Sequence, residues 1–75
     1  MERYKNLEGH SGVTAYDINN EGIVVEFNHD SAYQYTYASA GKSVIEKMKR
    51  LARAGRGLST YITQFVRDKF DKKLR

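Results

Sequence analysis

Tyr33, Tyr35 and Tyr37 recur at every second position in the stretch SAYQYTYAS, residues 31–39. Rings at that spacing line one face of a strand. On an open face they would form a platform for the bases of a single strand, because every base offers a π-face. On a covered face they are core. SAGKS, residues 39–43, follows a strand pattern and opens a helical one, the setting of a phosphate-binding P-loop. That loop needs a glycine at position 36, where Thr36 stands, so the backbone cradle is missing and Lys42 reads as an exposed helix residue. RAGRGLST, residues 53–60, places Arg53 and Arg56 before a predicted helix start. Free amides at such an end attract anions, so a phosphate on the Ser59 and Thr60 amides beside Arg56 is one use of this stretch. A Gly-rich helix connection is the other.

His10 and His29 stand alone, in a leader and a turn, whereas a metal site needs convergent ligands. No nucleophile, base and orienting group come together, and a domain this small rarely encloses a substrate pocket. These features predict a non-enzyme with no metal and no cofactor. Tyr16 has two readings. If Val13 and Ala15 face the core, Tyr16 points outward and its ring is open for stacking. In the other phase it is core, and a one-residue slip exchanges the two.

The elements that must position these residues follow from periodicity. Residues 1–11 show no sustained period and read as a loose leader to a single domain over 12–75. Alternation predicts strands over about 13–18, 23–28 and 32–37, joined by turns at Asn19-Asn20-Glu21-Gly22 and Asn28-His29-Asp30-Ser31. Val44, Ile45, Met48, Leu51 and Ala52 form a helical stripe over about 40–54, with Ser39 as N-cap. Leu58, Tyr61, Ile62, Phe65, Val66 and Phe70 form a second over about 59–72, capped by Ser59 and ending in a frayed basic tail. The fold class is α+β: a three-stranded antiparallel meander with two C-terminal helices on one face, β-β-β-α-α. Two apolar stripes need one apolar sheet face. In the third strand only the tyrosines can supply it, so Tyr33 and Tyr35 are core.

Charge separates along the chain. Residues 1–38 are net −4 and residues 39–75 are net +8. Lys42, Glu46, Lys49, Arg53 and Arg56 share the helix face opposite its apolar stripe. A polarised domain is a candidate for binding a polyanion. Cysteine is absent and there is no 18-residue apolar run, which points to a reducing cytoplasm and to no membrane span.

Tyr16-Asp17, Ile23-x-Val25-x-Phe27, Tyr33-x-Tyr35 and a helix ending in AGRGLSTYI together resemble a KTSC domain. That family is the C-terminal extension of some lysyl-tRNA synthetases and also occurs as small stand-alone bacterial and phage proteins. The resemblance spans about residues 11–67, with Y-x-Y as its central mark. This chain has Asp30-Ser31 where a glycine usually precedes Y-x-Y, and Ala38-Ser39-Ala40 where proline often enters the first helix. The resemblance implies RNA binding. It agrees with a contact surface of Lys42, Lys49, Arg50, Arg53, Arg56 and Arg67 for tRNA or single-stranded RNA. A protein partner or homodimer, paired through an exposed edge of the first or third strand, is the alternative.

Overall fold

A computed structural model describes residues 1–75. Val13–Asn19 (β2), Gly22–Phe27 (β3) and Ser31–Thr36 (β4) form the expected antiparallel meander. Two short strands extend it at the chain's ends: Glu2–Arg3 (β1) pairs with β2, and Lys72–Lys73 (β5) pairs with β4. The sheet therefore has five strands in sequence order, not three.

The first turn is tightened by Asn19, whose Oδ1 accepts the amides of Glu21 and Gly22 at 2.8 and 2.9 Å. Gly22 has no substitute there. Its φ is 155°, and a Cβ would lie 2.0 Å from the Tyr35 carbonyl oxygen. At the start of β2, Val13 pairs with Phe27 but Ala15 pairs with Glu26, so Thr14 is the extra residue of a bulge. The bulge turns both Val13 and Tyr16 toward the helices. The register then stacks Tyr16 with Val25 and Tyr33, and Ile18 with Ile23 and Tyr35, on the covered face.

Helix formation begins earlier than Ser39. Thr36 is the N-cap of Tyr37–Ala40 (α1), in a reciprocal capping box with Ser39. Gly41, at φ 93°, separates this turn from Lys42–Ala54 (α2). α2 ends at Gly55 in the left-handed conformation, with the Gly55 amide on the Leu51 and Ala52 carbonyls. Gly57, not Ser59, precedes Leu58–Tyr61 (α3), which continues directly into a π-helical turn, Ile62–Val66. The helical run stops at Val66 rather than near residue 72. Arg67, at φ 55° and ψ −119°, reverses the chain and sends it back along β4 as β5. The basic tail is thus a paired edge.

Residues 1–11 are also tied down. Tyr4 is buried; its amide donates to the Thr14 carbonyl at 3.0 Å, and its hydroxyl accepts the Leu58 amide at 3.3 Å. The Leu7 amide donates to the Gly55 carbonyl at 2.8 Å. The segment spans from sheet to helix connection and is no loose leader. The core joins Ile23, Val25 and Tyr35 of the sheet to Ile45, Met48, Leu58 and Val66 of the helical layer. No helix is long and apolar enough to cross a membrane.

Candidate nucleic-acid interface

Lys42, Arg50, Arg53, Arg56 and Arg67 are all exposed. The first three lie on α2, Arg56 follows its C-cap, and Arg67 comes from the turn after the π helix. Arg53 shares a cleft of about 310 Å³ with Glu2, Asp17, Ile18 and Tyr16, so carboxylates offset part of its charge.

Lys49 is different. Only 8 % of it is exposed, and its ammonium donates to the Tyr37 hydroxyl at 2.7 Å and to the Asn19 carbonyl at 3.3 Å. It also lies 4.9 Å from the Tyr37 ring centroid. The Tyr37 hydroxyl donates in turn to Glu46 at 2.5 Å. That hydrogen bond, followed by the nearby cations led by Lys49, holds the Glu46 carboxyl below its usual range. Lys49 therefore clamps α2 onto the β2–β3 turn and α1. Its donors are committed inside the protein, so Lys49 does not face a phosphate.

Tyr16 is likewise no stacking platform, because its ring is 5 % exposed. Burial, then the neighbouring Glu2, raises its phenol above the ordinary value. Tyr35 is core. Tyr33 is half-buried, 4.8 Å from the Phe70 ring and edge-on to Phe27 at 5.9 Å.

At the RAGRGLST connection, the cleft beside Ser59 and Thr60 is lined by Glu8, His10, Ser11 and Gly57, without Arg56. The Leu58 amide is already taken by Tyr4. A carboxylate in place of a guanidinium opposes a phosphate there. His29 sits exposed with its Nδ1 3.8 Å from Glu26, and no group of three or more His, Asp or Glu converges on a common point.

Three residues that the sequence pattern did not single out as ligand contacts come together instead. Phe65, assigned to the apolar stripe, is 61 % exposed. Its ring lies 5.4 Å from that of Tyr61 at an interplanar angle of 35°. The Lys47 ammonium is 5.8 Å from the Tyr61 centroid. The π turn causes this arrangement. Its ring is one residue wider than an α turn, as in the Arg67 amide to Ile62 carbonyl bond, so each residue past Tyr61 lags its α-helical position. Val66 swings into the core, fully buried, and Phe65 falls back beside Tyr61. Period counting assumes α geometry throughout and could not find this. The accompanying charge was visible: residues 47–67 hold Lys47, Lys49, Arg50, Arg53, Arg56 and Arg67 and no Asp or Glu.

No family model, curated protein or solved structure matches this chain.

Proposed function

We propose that this protein is a small non-catalytic module that binds RNA through the exposed cations of α2 and the turns that follow it. The observation that carries the proposal is the run from Lys47 to Arg67, which has no carboxylate and leaves Lys47, Arg50, Arg53, Arg56 and Arg67 exposed. Lys42, on the far side of Glu46 at the start of α2, adds one more exposed cation. A stretch rich in exposed cations attracts phosphates and releases their counterions on binding. The resemblance to KTSC domains supports the same ligand. Attraction of this kind follows the backbone and reads little sequence.

The strand-edge alternative has less support. β1 pairs with Ala15 and Tyr16 of β2, and β5 with Tyr33 and Gln34 of β4, so part of each edge is occupied, and the two added strands are short and charged. Such edges resist pairing.

Titrating a labelled single-stranded RNA and a tRNA at several salt concentrations tests the proposal. With four to six phosphates neutralised, the log–log salt slope for a single strand is roughly −3 to −4. Arg50→Glu with Arg56→Glu reduces that slope and weakens binding at every sequence tried. Lys49→Met leaves the slope unchanged, because Lys49 faces inward. Absence of binding by the wild-type protein at low salt defeats the proposal.

A further inference from the structure

Phe65 is more exposed than any other large apolar side chain of the protein. A regular α-helix over 58–66 would have kept it on the buried side with Leu58 and Ile62. The π turn instead holds it outside, and π turns inside helices are frequent at functional sites. Its flanks, Thr63 and Gln64, are exposed and polar, so the ring is an isolated flat surface and not part of an apolar groove. Lys47 adjoins Tyr61, and the exposed Arg50 follows Lys47 by three residues, about one turn along α2.

We propose that Tyr61 and Phe65 form a stacking step for an unpaired base of a single-stranded nucleic acid, with Lys47 and Arg50 meeting the phosphates on either side. The proposal rests on the RNA-binding function above and adds to it a ligand class: single strands or loops in preference to duplex. The occupant is argued from complementarity. An exposed aromatic face beside cations matches a base carried on a phosphate chain. A base already stacked within a duplex has no free face to offer. Tyr61 is anchored against the core, so the step is preformed and only Phe65 projects.

The protein contains no tryptophan, so Phe65→Trp introduces a single indole at the site, which can be excited apart from the tyrosines. Its emission is titrated with a 12-nucleotide uridine-rich RNA, with a blunt RNA duplex of equal length and with inorganic polyphosphate; the expected result is quenching by the single strand alone. In parallel, Phe65→Ala is expected to bind the single strand about 5- to 100-fold more weakly than wild type with an unchanged salt slope, and to bind the duplex as wild type does. Because Phe65 is exposed, both variants melt with the wild type.

Equal single-strand affinity for wild type and Phe65→Ala overturns the stacking step while leaving electrostatic RNA binding standing. Quenching by polyphosphate as strong as by RNA also overturns it. A wild-type protein that binds no nucleic acid at low salt removes both proposals. Concentration-dependent self-association that Phe65→Ala abolishes, with RNA affinity unaltered, assigns the ring to a protein interface and overturns the stacking step as well.

Discussion

Tyr35 lies where the sheet, the helical layer and the returning C-terminal segment meet, 2 % exposed and edge-on to Phe70 at 6.3 Å. Burial, with the nearby Tyr33 second, pushes its phenol from 10.0 up to about 12. Its folded-state pKa is thus raised above the unfolded value. The associated stability is complete below pH 10 and is lost as the unfolded chain ionises between pH 10 and 12, by an order of about 2–3 kcal/mol. Tyr4 and Tyr16, also raised by burial, act in the same direction. Urea midpoints at pH 9 and pH 11 are therefore expected to fall for the wild type and to fall less for Tyr35→Phe. Equal falls in the two proteins would remove the ionisation of Tyr35 as a cause. The same residue scale explains Lys47 and Lys49. They flank Met48, which is fully buried, so each stands at a border of the apolar stripe and leans over a tyrosine, Tyr61 or Tyr37. A wheel of charges cannot tell a border lysine that is enclosed from one that is open.

At the scale of elements, what periodicity could see and what it could not have separate causes. Ile23, Val25 and Phe27 alternate cleanly, and β3 stands where that alternation puts it. α2 also follows its stripe. Tyr16 was ambiguous because the bulge at Thr14 changes the phase of β2 within the strand. Arg50 and Arg53 were readable as surface cations because they lie off the apolar stripe of α2, and Arg56 because it falls among the glycines that end the helix. Phe65 was not, because α and π geometries share the same residues at spacings of three and four. The end of the helical run was hidden for a further reason: the chain reverses at Arg67, in a φ, ψ region natural to glycine. A non-glycine residue there stores about 1–3 kcal/mol. Arg67→Gly relieves that strain, offset in part by the greater freedom of glycine in the unfolded chain. The expected net gain is about 1 kcal/mol, or roughly 4–8 °C in melting temperature for a domain of this size. Thermal melts followed by circular dichroism check it, and a variant that melts lower than wild type would show that the Arg67 side chain contributes more than the turn strain costs.

For the whole molecule, the ends of the chain complete both sides of one sheet. Charge does not divide between sheet and helices as the chain halves suggested, because Lys72, Lys73 and Arg75 return to the edge of β4. There the Asp71 amide donates to the Gln34 carbonyl at 2.6 Å and the Leu74 amide to the Ala32 carbonyl at 2.7 Å. The Arg75 guanidinium meets the Glu26 carboxylate at 2.6 Å. Phe70 closes the core against Tyr33 and Tyr35. A chain this short buries a modest fraction of its surface, so one aromatic and one edge are a large share of its stability. Ending the chain after Asp68 removes Phe70 and opens β4 along its length. Losing a half-buried ring costs about 1–2 kcal/mol, which lowers the melting temperature by roughly 5–15 °C. The bare edge then offers unpaired amides and carbonyls to a second copy, so the truncated protein is expected to associate with rising concentration in light scattering while the full chain does so less. A truncated chain that melts with the full-length protein and scatters as it does would mean that β5 rests on the sheet without stabilising it.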